Sequence, residues 1–308
     1  MKAAQFSRFG GPEVLEIVDL PDPHPGPGQV RIVVHAAGIS ATDPKLRAGT
    51  LAFGAKLPQT TGRDVAGVVD ELGEGVTDVA AGDRVFGVSD DGAGAAQLAL
   101  LTFRAIIPES LGFVDAAGLP VALETATRAI DQLGVKSGTI LFINGASGGI
   151  GSTAVQLAVA RGARVIGAAS AANQNYLSLL GAEPVTYGEG MAERVRALSP
   201  DSVDAALDVA GNGVIPQLID LVGDSKNVVT LADFAGSKEH DVRFSNGFAD
   251  GHAFHSLAEI GELIEAGRFW LPVDRTFPLA EIAEAHRTSE HGHVRGRLVL
   301  VVNQCPCT

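Results

Sequence analysis

Along the first 120 or so residues, short apolar runs alternate with clusters of turn formers. Val14 to Val18, Val30 to Ala36, Val65 to Leu72 and Arg84 to Val88 have the length and β-branched content of strands. Between them stand Pro21-Asp22-Pro23-His24-Pro25-Gly26-Pro27-Gly28, Gly73-Glu74-Gly75 and Gly82-Asp83, residues that supply turns. This predicts a β-rich unit. From Thr125 the pattern changes to strand and helix in alternation. Ile140 to Ile143 is a short apolar run suited to a strand buried on both faces, and Gly149 to Ala160 follows with helical spacing. Arg164 to Ala168 with Asn173 to Leu180, Val203 to Val209 with Val214 to Val222, and Asn227 to Leu231 repeat that order, the signature of a doubly wound parallel sheet. After a helix over about 255–266, Val273 to Phe277, Leu279 to His286 and Arg297 to Val302 read as strand, helix and strand. The expected division is 1–122, 123–268 and a return to the first domain over 269–308.

Composition narrows the partners. A net charge of −13 repels phosphate backbones and anionic headgroups, which argues against nucleic acid and against a membrane surface. No window approaches the roughly 18 apolar residues of a membrane span, and Met1 to Phe6 does not open a signal segment. The only cysteines, Cys305 and Cys307, leave no disulfide framework in the body, so a reducing cytoplasm is expected.

The segment Thr139 to Gly151 runs from a strand into a glycine turn and then a helix, the order a dinucleotide site requires. Ala146-x-Gly148-x-x-Gly151 departs from the usual fingerprint only at its first position, which alanine can fill if it fits the turn. Gly148 would let the backbone approach a pyrophosphate, Gly151 would let helix and strand pack closely, and free amides at the helix start would attract the anion. Ala146, Ser147, Gly148, Gly149, Ile150 and Gly151 are therefore candidate cofactor residues. About 20 residues on, an NAD site usually carries Asp or Glu for the ribose hydroxyls. This chain has Ser170 and Asn173 there, neutral groups that favour NADPH because a carboxylate would repel the 2′-phosphate. Capping of the next helix is the alternative use of both.

Several motifs together resemble the zinc-independent quinone oxidoreductases of the medium-chain dehydrogenase/reductase superfamily over nearly the whole chain. They are Met1 to Ala4, Phe9 to Leu15, Ala36 to Gly49, Gly62-Arg63-Asp64-Val65-Ala66-Gly67 and Ala146 to Gly151. The resemblance implies a GroES-like β-rich domain with an inserted Rossmann domain, NADPH as cofactor and a homodimer. It also implies a role for Tyr187 at the NADPH phosphate. Two departures bear on the substrate pocket: Ser40 stands where the family commonly has Asn, and Pro44 where it has an aromatic.

Zinc-dependent relatives place Cys, His and Cys at a catalytic metal, whereas this chain has Ser40, Arg63 and Leu123-Glu124 at those points. Arginine does not ligate zinc. Without a Lewis acid, the substrate must itself take a hydride readily and delocalise the charge, as quinones and activated enones do. The expected activity is hydride transfer from NADPH to a quinone, with proton delivery from water. Enone or enoyl reduction is the first alternative; a catalytically weak NADPH-binding sensor is the second. Ser40 and Thr125 are the hydroxyls expected beside the nicotinamide carboxamide or the acceptor oxygen. Asp43 and Asp64 are candidate acids, or else caps and partners for Lys45 and Arg63. Glu124 reads either as an acid with a raised pKa or as a solvated glutamate at a helix start.

Overall fold

The alternation seen in Val30-Arg31-Ile32-Val33-Val34-His35 is realised as a strand with one face inward: Val30, Ile32 and Val34 are fully buried, and their neighbours only partly. The structure is a computed structural model that describes residues 1–51 and 56–303; Cys305 and Cys307 lie outside the described residues. The chain divides into two units, one holding Met1–Val121, Leu257–Glu265 and the residues from Trp270 onward, the other Ala122–Ser256 and Ala266–Phe269. The helix expected within 123–268 thus groups, from Leu257, with the first unit.

In the first unit, β1 (Lys2–Phe6) lies between β2 (Glu16–Asp19) and β4 (Gln59–Thr60). A six-stranded sheet runs β14 (Val273–Pro278), β15 (Arg297–Val301), β3 (Val30–Ile39), β5 (Asp64–Leu72), β6 (Arg84–Ser89), β7 (Leu98–Ile106). β3 also pairs with β7, so four of these strands close into a small barrel, which removes two sheet edges. Closure brings backbones near one another. A Cβ on Gly67 would stand 2.1 Å from the Val33 carbonyl oxygen, so β5 needs glycine where it crosses β3. Ile32, Val34, Val65, Val69, Leu101 and Leu300 meet in the core of this unit. Helices α1 (Thr42–Ala48), α2 (Phe113–Ala116) and α11 (Ile282–His291) belong to it as well.

The second unit is built on one all-parallel sheet in the order β10 (Glu183–Thr186), β9 (Arg164–Ala169), β8 (Ile140–Asn144), β11 (Ala205–Asp208), β12 (Val228–Thr230), β13 (Arg243–Phe244). Counted from β8, this is 3-2-1-4-5-6, the doubly wound Rossmann order, with its switch point between β8 and β11. Both faces are covered. Leu141 and Ile143 pack with α3 (Pro120–Gln132) and α4 (Gly149–Ala160) through Ala126, Ile130, Ala154 and Val155. Phe142 faces the other way, with residues of α6 (Met191–Leu198) and α7 (Ile215–Val222). This is why the strand is apolar throughout rather than alternating. Helix α5 (Gln174–Leu179) follows β9. Among the described residues no helix is long and apolar enough to cross a membrane.

Candidate active site

The turn after β8 takes its left-handed residue at Gly145 (φ 82°), one place before the position where the fingerprint has its first glycine. Ala146 is therefore free of that demand, and it sits fully buried under the loop. Gly148 caps α4 in extended conformation, and its missing Cβ would meet nothing closer than the Gly145 carbonyl oxygen at 3.8 Å. Gly151 is the opposite case, since a Cβ there would stand 2.1 Å from that same oxygen. The loop is thus open at Gly148, where a pyrophosphate would approach, and closed at Gly151, where helix meets strand. Gly149, Ile150 and Gly151 form the first turn of α4, whose amides have no acceptor within the helix.

Each of three neighbouring strands ends its apolar run on one polar residue: Asn144 on β8, Asp208 on β11 and Thr230 on β12. Asp208 is fully buried and ties them together. It accepts from Asn144 Nδ2 at 2.9 Å, from Thr230 Oγ1 at 2.8 Å and from the Gly211 amide at 2.8 Å. Sequence reasoning missed this network, although the rhythm of apolar strands closing on a hydrogen-bonding residue was its visible signal. A groove of about 610 Å³ opens at this switch point, lined by Asn144, Gly145, Ser147, Tyr187, Glu189 and Asn212 among others. Ligands of open α/β sheets bind at this place.

At the end of β9, Asn173 Nδ2 donates to Ser147 Oγ at 3.3 Å and to Ser170 Oγ at 3.2 Å. Neither Ser170 nor Asn173 makes a side-chain helix cap, so the capping alternative is not what the structure uses. The neutral cluster joins the glycine loop to the β9 end. Tyr187 is about half exposed and lines the groove. The wall beside it is not free of acid, because exposed Glu189 also lines the groove. The Arg194 guanidinium donates to the Thr186 and Glu189 backbone carbonyls at 2.8 and 2.9 Å and so holds the loop that carries Tyr187.

In the first unit, β3 delivers Ser40 to the start of α1. Asp43, 2% exposed, accepts both the Ser40 amide at 2.7 Å and the Ser40 hydroxyl at 2.8 Å. The expected pairing with Lys45 is not made. A carboxylate only accepts, so Ser40 is the donor to Asp43; the Thr42 hydroxyl, 2.5 Å from Ser40 Oγ, then donates to Ser40. Beneath them lie Arg47, ion-paired with Glu290, and His286, both buried. Asp64 does not pair with the neighbouring Arg63 either. It accepts the Val121 amide at 2.6 Å and forms an ion pair with Arg297, which is itself buried. Burial pushes the Asp64 carboxyl up to about 6 against the pull of Arg297.

Glu124 overturns both readings of its sequence position. It is 5% exposed, so it is not solvated, and its pKa is lowered rather than raised. Burial favours its neutral form, but the Arg128 guanidinium, the Thr125 hydroxyl and the Ala253 amide together outweigh burial. Arg128 Nε donates at 2.7 Å, Thr125 Oγ1 at 2.9 Å and the Ala253 amide at 3.3 Å. Arg128 also donates to Ser245, and His252 Nδ1 lies 3.4 Å from the Glu124 carboxylate. Among the described residues, no three His, Cys, Asp or Glu side chains gather as a metal site would require.

Comparison with known proteins agrees with this geometry. Residues 26–117 match the alcohol dehydrogenase GroES-like domain, and residues 180–300 match the zinc-binding dehydrogenase domain. A quinone oxidoreductase of Sus scrofa is 31% identical over 98% of both chains. The chain belongs to the quinone oxidoreductase family of the medium-chain dehydrogenases/reductases. As a member of that family it is an oxidoreductase with a fold that binds nicotinamide dinucleotides. The structure of the quinone oxidoreductase from Coxiella burnetii, 34% identical, superposes with a TM-score of 0.85 over 98% of this chain and 99% of that one. An NADPH-dependent alkenal/one oxidoreductase of Arabidopsis thaliana chloroplasts is 32% identical over 97% of this chain and 79% of its own.

Proposed function

We propose that this quinone oxidoreductase family member is an NADPH-dependent, zinc-independent reductase that passes a hydride to a quinone. The observation that carries the reading is the neutral Ser147–Ser170–Asn173 cluster at the end of β9, where a carboxylate would repel a 2′-phosphate. The first-turn amides of Gly149, Ile150 and Gly151 would face the pyrophosphate, and Gly148 leaves it room. Ala146 shapes the turn from below, while Ser147, Ser170, Asn173 and Tyr187 would take the phosphorylated ribose. When bound, NADPH supplies a hydride from nicotinamide C4.

Zinc independence is supported by the chemistry of the residues at the three ligand positions of zinc-dependent relatives. Arg63 is a cation that does not ligate, Ser40 gives its proton to Asp43, and the Glu124 carboxylate is engaged by Arg128. With no Lewis acid, the acceptor has to stabilise its own charge, and a quinone does so by becoming a phenolate. Ser40 and Thr125 each donate to a carboxylate, so toward a ligand both are acceptors. They suit a carboxamide N–H, not the acceptor's oxyanion. Asp43 accordingly orients Ser40, and water protonates the reduced quinone. A cytoplasmic homodimer is the setting that the family resemblance and the cysteine usage support.

The test is an acceptor screen in which coenzyme oxidation is followed with 1,4-benzoquinone, naphthoquinone and phenanthrenequinone. NADPH is expected to be consumed faster than NADH, and preference for NADH would overturn the coenzyme assignment. The alkenal/one relative supports a second reading, carbon–carbon double-bond reduction of enones, which faster turnover on alkenones would establish in place of the first. Tight NADPH binding with no turnover on either class would leave a sensor.

A further inference from the structure

Glu124 is a buried ionised group for which the reaction above has no use. It stands on α3 immediately before Thr125, and its carboxylate is filled by donors: Arg128 Nε at 2.7 Å, Arg128 Nη2 at 3.4 Å, Thr125 Oγ1 at 2.9 Å and the Ala253 amide at 3.3 Å. The charge is locally neutralised because Arg128 is itself buried, 8% exposed, and fixed at its far end by Ser245. An ionised carboxylate has no proton to offer, so the Thr125 O–H points at Glu124 and only its lone pairs remain for a ligand. Thr125 alone could rotate and either donate or accept; beside Glu124 it has one polarity.

We propose that Glu124 is a positioning residue for the coenzyme: it holds Thr125 as an obligate hydrogen-bond acceptor, which selects the N–H-bearing carboxamide of nicotinamide over a group that offers only a carbonyl. The inference rests on the reading of the chain as a nicotinamide-coenzyme reductase with Thr125 at the carboxamide. Arg128, Ser245, His252 and Ala253 serve it indirectly, by keeping the carboxylate charged and still.

The experiment measures coenzyme dissociation constants by fluorescence titration, with no acceptor present, for NADPH and two analogues. The thionicotinamide analogue keeps the N–H groups, and the 3-acetylpyridine analogue replaces them with a methyl ketone. The wild-type protein is expected to bind the acetylpyridine form about tenfold more weakly than NADPH, the effect of leaving one buried acceptor unmatched, and the thionicotinamide form within about threefold. Removing Glu124 alone would strand the Arg128 charge, so the pair is replaced together as Glu124→Leu/Arg128→Met. In that variant Thr125 can turn and donate to the ketone, and the tenfold ratio is expected to fall to about two. Glu124→Gln, which keeps the side-chain size, is the second variant and should lower the ratio about threefold. Thr125→Val should abolish it, and Thr125→Ser should preserve it. Variants that retain the wild-type ratio, or a wild-type protein that does not discriminate, overturn the proposal while leaving NADPH-dependent reduction intact. A wild-type protein that binds neither NADPH nor NADH overturns the functional reading and, with it, this inference.

Discussion

His286 lies on α11 beneath the Ser40–Asp43 turn, 1% exposed, and its Nδ1 has no hydrogen-bond partner among the described residues. Burial is the largest influence on it and lowers its pKa; Arg47 pushes the same way, while Asp43 and Glu290 pull upward without prevailing. The imidazole is thereby pushed down from 6.5 to about 4. Below pH 6.5 the unfolded chain takes up a proton that the folded chain refuses until about pH 4, so stability present at neutral pH is lost on acidification across that window. The full interval corresponds to about 3 kcal/mol, of which about 2 kcal/mol should be gone by pH 4.5 and about 1 kcal/mol by pH 5.5. Asp64, raised to about 6, titrates over an overlapping range with the opposite sign. The quantity to measure is therefore the difference between the wild-type protein and His286→Leu. Urea unfolding read by tryptophan fluorescence suits this, because the single tryptophan, Trp270, belongs to the same unit as His286. Below pH 6.5 the wild-type protein should lose about 2 kcal/mol more than the variant. Parallel pH curves for the two proteins would refute the reasoning, since they would mean that Asp43 and Glu290 keep His286 charged in the fold.

Three further outcomes follow from the second unit. Gly151→Ala should lower the melting temperature by several degrees and abolish coenzyme binding, because its methyl meets backbone, whereas Gly148→Ala should melt normally and lose only affinity. Asn173→Asp should weaken NADPH about tenfold in fluorescence titration while leaving NADH within about threefold, by setting a carboxylate against the 2′-phosphate. Asp208→Ala should cost about 3 kcal/mol in chemical denaturation, because the Asn144 amide, the Thr230 hydroxyl and the Gly211 amide all lose their acceptor.

What the sequence disclosed and what it hid divide along a physical line. Gly149 to Ala160 was legible to the residue, since a glycine turn and a helical period coincide there. The parallel sheet was legible because strands buried on both faces are apolar without interruption. Helix α1 escaped notice because it is short, carries Pro44 and buries charged residues. The chemistry of the candidate site was harder to see for a different reason. Ser40 and Thr125 were identifiable as hydroxyls, but the direction in which each gives its proton is set by a carboxylate whose ionisation depends on its surroundings. For Glu124, one of those surroundings, Arg128, is local and stands at the familiar i+4 spacing; the others, Ser245, His252 and Ala253, come from more than a hundred residues away. A glutamate at a helix start reads as solvated until the strands and loops that cover it are in place. The same holds for Asp64, whose partner is not adjacent Arg63 but Arg297 from the opposite end of the chain. Asp64 thus finds its cation through the topology, whereas Glu124 takes its cation from the i+4 neighbour and only its remaining donors from afar, so near-neighbour charge pairing misleads for the first acid and not for the second. It follows that Ser40 and Thr125 are fixed as acceptors by the fold rather than by their own chemistry. On the function proposed above, coenzyme recognition would then depend on buried acids whose partners the local sequence alone does not reveal.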